Sequence, residues 1–279
     1  MKFSGPSNIS FHVNEYIRAH AGEFQGKTVV DIPAGDGRTS EVLLSAGAEV
    51  RAYDLFTDVF KPGQINSEYA DLTRTLPIES ESCDIIICQE GIEHLADQLF
   101  ALSEFNRILK PDGRLFITTP NYSSLRAKLA YLLLESETRN LMPPNELDSL
   151  WSPPGTTSKR VYFGHIFMIG VQKLRMLGWL SGFRLREMHH TRINWTSALL
   201  LPIFYPFIWL RSLLTYRRSL RRNTAFSDEQ KRETYQRIRK LICDPKILVE
   251  QHLFVELTKV EGQSVVQARL NGEEGLQQT

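Results

Sequence analysis

Hydrophobic and polar positions along the chain follow two alternating periods. Ile9, Val13 and Ile17 recur at helical spacing, which predicts a leading helix over 8–20. Apolar runs of strand length follow at 28–32, 48–53, 84–88 and 113–118, with a short one near 67–70. Helical stretches over 38–46 and 95–109 separate them, and Lys110-Pro111-Asp112-Gly113 reads as a stop-and-turn. Strands alternating with helices predict a mainly parallel sheet covered by helices on both faces. Beyond residue 118 the rhythm breaks twice. Pro120, Pro143, Pro144, Pro153 and Pro154 predict a loop-rich lid over 120–160, followed by a helix near 168–181 and a strand near 183–189. Residues 195–245 form a second insertion, hydrophobic and then basic, before a last strand around 252–259. The polar stretch after Gln263 predicts a frayed end.

A chain of 279 residues buries a sizeable core, and 1–279 reads as one α/β domain with insertions. A formal net charge of +1 supplies no overall attraction to nucleic acid or anionic membranes, so any such partner must meet a local patch. Cys83, Cys88 and Cys243 lack metal or redox spacing; the first two flank a strand and read as core thiols in a reducing compartment. Met1 to Pro6 carry no apolar signal core, and the expected location is cytoplasmic.

The candidate chemistry starts at Val-Val-Asp-Ile-Pro-Ala-Gly-Asp-Gly, residues 29–37. Asp31 ends the first strand at the carboxyl edge, where open α/β sheets bind ligands. Gly35 and Gly37 let the backbone turn sharply against a flat ligand. Asp54 ends the next strand, placed to take both hydroxyls of a ribose; Asp71, followed by Leu72, closes the third and suits an adenine amino group. A dinucleotide-dependent oxidoreductase would need a third glycine three residues after the second, and position 40 is Ser.

The run from Asp84 to Asn121, with Gln89-Glu90-Gly91-Ile92-Glu93-His94, Phe105-Asn106-Arg107-Ile108-Leu109-Lys110-Pro111-Asp112-Gly113 and Thr118-Thr119-Pro120-Asn121, resembles the class I S-adenosylmethionine-dependent methyltransferase superfamily. The likeness covers roughly residues 25–121 and returns at Gly164-His165 and at Gly178 to Phe183. It implies a Rossmann-like seven-stranded sheet with its final strand antiparallel. It also implies S-adenosylmethionine as methyl donor, held by Asp31, Gly35, Gly37, Asp54, Asp71, Leu72, Gln89 and Glu90. The superfamily's first glycine is Pro33 here, whose fixed φ and missing N–H predict an altered turn.

Glu90, Glu93 and His94 follow the fourth strand, and on a helical turn their spacing puts them on one face. The Glu-x-x-Glu-His pattern is similar to that of the small-RNA 2′-O-methyltransferases and the ubiquinone-biosynthesis O-methyltransferases. Those families place a later histidine in the site, and His165 matches it. Two readings follow. Glu90, Glu93, His94 and His165 hold Mg²⁺ or Mn²⁺, with zinc as a further candidate. Alternatively the acids cap the next helix and orient the cofactor's methionine end, while His94 or His165 acts as general base.

Residues 198–210 are apolar and aromatic, and Arg211, Arg217, Arg218, Arg221 and Arg222 follow. Thirteen residues with Pro202 and Pro206 fall short of the ~20 needed to span a bilayer. The segment suits a membrane surface, a buried helix closing the acceptor pocket, or an oligomer contact. Trp151, Tyr162, Phe163 and Trp195 are candidate pocket aromatics. The expected function is O-methylation of an amphipathic or lipid-linked small molecule, a quinone precursor or cell-envelope glycan intermediate. The expected setting is cytoplasmic, peripheral on the membrane face. A non-catalytic scaffold marked by Pro33 and an RNA 2′-O-methyltransferase are the alternatives; nucleic acid ranks below a small molecule as partner.

Overall fold

A computed structural model describes residues 8–136, 142–222 and 224–271. The segment Met1 to Pro6 read above lies outside them, as do residues 272–279 of the polar tail. Helix α1 (Ile9–Ala19) leads, capped by the Asn8 side chain on Ser10 N, and a short α2 (Ala21–Phe24) follows. Strand β1 (Thr28–Asp31), helix α3 (Arg38–Ser45), β2 (Glu49–Asp54), β3 (Ser67–Tyr69) and β4 (Cys83–Gln89) then alternate as the sequence predicts. Helix α4 (Gln98–Ile108) and β5 (Leu109–Pro120) complete the first half. After the lid come α6 (Val171–Leu180), β8 (Phe183–Met188) and β9 (His252–Lys259).

The seven strands run in the order β3-β2-β1-β4-β5-β9-β8. Pairing is parallel from β3 through β5, while β9 lies between β5 and β8 and is antiparallel to both. The expected seven-stranded sheet with an antiparallel last strand is therefore present. Central strands are apolar on both faces because both are covered. Val30, Ile86 and Cys88 face α4 and α6, packing with Leu102, Phe105 and Leu174. Val29, Ile85 and Ile87 face α1 and α3, with Phe24, Phe116 and Phe254. Cys83 and Cys88 are buried thiols, pushed above their ordinary range by desolvation, and all three cysteines are free.

Five expectations need correction. The helix expected over 95–109 starts at Gln98, because Asp97 caps it through Phe100 N; Ile92–His94 form a separate 3₁₀ turn. The Lys110–Gly113 turn is a bulge within β5, with Asp112 at φ +60°, and pairing shifts there against β4. The lid expected as loops over 120–160 contains α5 (Leu125–Leu134), capped by Ser124, and ends in a ribbon of β6 (Leu150–Trp151) and β7 (Tyr162–Phe163). The insertion over 195–245 is a helical hairpin of α7 (Trp195–Leu220) and α8 (Asp228–Ile242), with α9 (Pro245–Val249) beyond it. Pro202 and Pro206 lie inside the 26-residue α7, which is long and apolar enough to cross a membrane and is largely exposed, not a buried pocket helix. Finally, Gln263–Leu270 form α10 in place of a frayed tail, held by buried Val266 and by Arg269, which stacks over Trp179 and pairs with Glu261.

Candidate active site

The carboxyl ends of β1 through β4 open into a cavity of about 510 Å³, roofed by the β6–β7 ribbon. Gly35 takes a left-handed conformation at φ +55°, and its N–H donates to Asp54 Oδ2 at 2.8 Å. Asp54 Oδ1 accepts from Phe56 N at 2.8 Å, so two backbone amides fix the carboxylate at the cavity wall. Asp71 is set at the end of β3 by Thr73 N (2.9 Å) and the Thr73 hydroxyl (2.7 Å), with Leu72 beside it on the wall. Gln89, Glu90 and His94 also line the cavity.

Asp31 and Gly37 stand behind that wall. Asp31 is fully buried and accepts from Ser40 Oγ at 2.6 Å; burial, opposed by that hydroxyl and reinforced by Asp54, pushes its carboxyl up to about 7. Gly37 (φ +83°) precedes α3, and a Cβ there would overlap the Pro62 ring and approach Phe60 to 2.7 Å. Pro33 does alter the turn, since the Ile32–Pro33 peptide bond is cis, but its missing N–H breaks no strand pairing. Neighbouring amides make the strand's hydrogen bonds, Ile32 N to Ile87 O and Ala34 N to Tyr53 O, so the missing N–H is not called upon. The Pro33 ring packs instead against Gly91, where a Cβ would lie 2.7 Å away.

The acid–histidine group is arranged differently from the helical face expected of it. Glu90 sits in the left-handed region at φ +46°, before the 3₁₀ turn that carries Glu93 and His94. It therefore leaves their face and approaches His252, Nε2 to Oε2 at 3.7 Å. Glu93, His94 and His165 do come together, their candidate ligand atoms all within 4.8 Å of one another. His94 Nδ1 lies 2.6 Å from Phe163 O, a contact that requires Nδ1–H and makes Nε2 the basic nitrogen of the neutral ring. Trp151, Tyr162 and His165 surround the His94 ring. Trp195 does not join them; it is 75% exposed at the start of α7.

The electrostatics favour a cation. Burial raises the carboxyls of Asp54, Glu90 (to about 7) and Glu93, the last also through the charge of Glu90. Gln89 Oε1, Glu90 Oε1 and both Glu93 oxygens are buried acceptors without a hydrogen-bond donor. Among the described residues no Lys or Arg lines the cavity. Acceptors without donors, at strand ends shaped for a nucleoside, suit a ligand carrying ribose hydroxyls and positive charge. His252, held down to about 4 by burial and by the nearby His12 and His165, is neutral there. Sequence reasoning missed it; in a sheet whose last strand is antiparallel, that strand's first residue lands at the carboxyl edge of the others. It also missed the chain Gln89 Nε2 to Thr39 Oγ1 (2.7 Å) to Asn14 Oδ1 (3.1 Å), which ties the wall to α1 and carries no local motif.

A family described as a methyltransferase domain matches residues 13–187, well over half of the chain. The chain belongs to this family. The methyltransferase is 34% identical over 133 residues to a ubiquinone biosynthesis O-methyltransferase of Actinobacillus pleuropneumoniae serotype 7 (strain AP76), covering 43% of the chain and 55% of that relative. It is 26% identical over 186 residues to the ubiquinone biosynthesis O-methyltransferase of Xylella fastidiosa (strain 9a5c), covering 63% of the chain and 75% of the relative. The match to the first of these thus spans about half of the relative's length. A solved S-adenosylmethionine-dependent methyltransferase from Mesorhizobium loti shares the fold, with a TM-score of 0.50, 14% identity and coverage of 91% of this chain and all of that one (100%). The family implies S-adenosylmethionine as cofactor, and the buried acceptors at the strand ends fit that group.

Proposed function

We propose that this methyltransferase transfers a methyl group from S-adenosylmethionine to a hydroxyl of an amphipathic or lipid-linked small molecule, a quinone precursor or cell-envelope glycan intermediate. The observation that carries the reading is the Glu93–His94–His165 cluster beside a cavity walled by Asp54 and Asp71. When bound, the cofactor supplies an electrophilic methyl on a sulfonium. Asp54 and Asp71 hold the nucleoside, Gln89 and Glu90 the methionine end, and the ribbon of β6 and β7 excludes water. His94 takes the acceptor's proton at Nε2, its ring oriented by the Phe163 carbonyl and its imidazolium stabilised by the buried Glu93. The names of the curated relatives support an oxygen acceptor.

Divalent metal is the second reading, favoured by the convergence of one carboxylate and two imidazoles. Glu93, His94 and His165 would hold Mn²⁺ or Mg²⁺, with Glu90 turned away from them toward His252, and such an ion would lower the pKa of a coordinated hydroxyl. Calorimetry with S-adenosylmethionine, followed by turnover on a catechol-type acceptor, tests the reading. Asp54→Ala should weaken cofactor binding about 10- to 100-fold, the loss of charge-assisted hydrogen bonds. Native binding too weak to detect that Pro33→Gly restores would sink the enzyme and support a scaffold. Under the metal reading, a chelator abolishes turnover and Mn²⁺ or Mg²⁺ restores it. Turnover untouched by the chelator but lost in His94→Ala leaves the general base alone.

A further inference from the structure

We propose that the α5–α7 surface docks flat onto an anionic lipid bilayer, with α7 lying in the interface and not crossing it. Within α7 only Ser197 and Ser212 are buried. Trp195, Leu199, Ile203, Phe207, Leu210 and Leu214 follow one another at helical spacing and are 41–75% exposed, an apolar stripe turned away from the protein. Leu132 and Leu133 of the neighbouring α5 are 79% and 61% exposed and widen it. Arg217, Arg218 and Arg221 continue the stripe at the helix's end.

Charge selects the partner. Residues 188–227 contain no Asp or Glu but six arginines: Arg192, Arg211, Arg217, Arg218, Arg221 and Arg222. The chain as a whole has a formal charge of only +1, so its basic character is concentrated where the apolar surface lies. Apolar side chains bordered by guanidinium groups match acyl chains bordered by phosphate headgroups.

Three features distinguish lying from spanning. First, α7 is tied down along its inner face: Arg126 N donates to Ser197 Oγ, Arg239 Nε donates to Ser212 Oγ, and Lys231 Nζ donates to Leu220 O. Second, the companion α8 carries Asp228, Glu229, Lys231, Arg232, Glu233, Arg237, Arg239 and Lys240, which would be drawn into hydrocarbon with a spanning α7. Third, Pro202 and Pro206 deprive the carbonyls of Ala198 and Pro202 of helical donors on the exposed side, tolerable where water and headgroups reach.

Docking has a consequence for the active site. Helices α5 and α7 both leave the carboxyl edge of the sheet, α5 after the end of β5 and α7 after β8, where Ile193 bridges to Glu250. An amphipathic acceptor would reach the cavity from the surface on which the protein rests. The docking itself does not depend on the acceptor assignment, since it is read without turnover.

The test is sedimentation of the full chain with vesicles of phosphatidylcholine, with and without phosphatidylglycerol, alongside quenching of tryptophan fluorescence by brominated acyl chains. The expected result is pelleting and quenching on anionic vesicles only. Leu199→Glu with Phe207→Glu should abolish both. Arg217→Gln and Arg218→Gln should each lower partitioning roughly fivefold. Unchanged calorimetric binding of S-adenosylmethionine shows that the variants remain folded. Absence of binding, or equal binding to neutral vesicles, overturns the proposal. Retention in the pellet after alkaline carbonate overturns the flat orientation. A dimer in light scattering that L199E dissociates, without vesicle binding, assigns the surface to a second copy of the chain.

Discussion

Single residues decide the cavity wall, and a buried acid behind it leaves a pH signature. The folded Asp31 carboxyl is raised to about 7 against an ordinary 3.8. Between those values the folded protein holds a proton that the unfolded chain has released, so stability falls as pH rises through the window and levels off above about 7. Asp31→Asn should remove that part of the slope. Urea unfolding at pH 5 and pH 7 should show the wild type losing up to about 2 kcal/mol more than the variant. At this scale the sequence was informative about position where the end of a strand meets the cavity, as for Asp54, Asp71 and Gln89, but not for Asp31, which ends β1 behind that wall. It misled at Glu90, because i, i+3, i+4 spacing implies one face only if all three residues share a helix. The left-handed φ of Glu90 breaks that condition, and no local pattern announces it.

At the scale of elements, the lid is held by a latch outside the cavity. The Asp58 carboxylate accepts from Thr157 N and from the hydroxyls of Thr156 and Thr157. Those donors keep its carboxyl below the ordinary range, so the latch is intact at neutral pH and opens as pH falls through acid values. Asp58→Ala should speed proteolysis within 152–161 and raise KM for the acceptor more than it lowers kcat; an unchanged digestion rate would show the latch idle. A second element, α10, packs onto α4 and α6 through Gln263 on Ser103 and Arg269 on Trp179. Arg269→Ala removes a buried partner of Glu261 and the stacking on Trp179, and should cost about 3 kcal/mol in urea unfolding. The polar composition that suggested a frayed end hid this helix, because its anchors are one buried valine and an arginine packed by its stem, not an apolar run. Helix α7 was hidden for a related reason: prolines inside it read as breaks, although neighbouring helices hold its course.

For the molecule as a whole, strand alternation made the parallel half readable, since each βα unit is local in sequence. The antiparallel end was legible only through family resemblance: β9 lies 132 residues beyond the end of β5, which it pairs with, as the distance from Pro120 to His252 shows. Position in the sheet has a further meaning for synthesis. Because β9 is interior, flanked by β5 and β8, a ribosome emits the half that builds the cavity wall long before the strand that closes the sheet. Until residue 259 clears the exit tunnel, β5 presents an open edge and His252 is missing from beside Glu90. A nascent chain arrested near residue 200 should be a target for chaperones that bind unpaired strands, and pairing of β9 between β5 and β8 is then the event that closes the sheet.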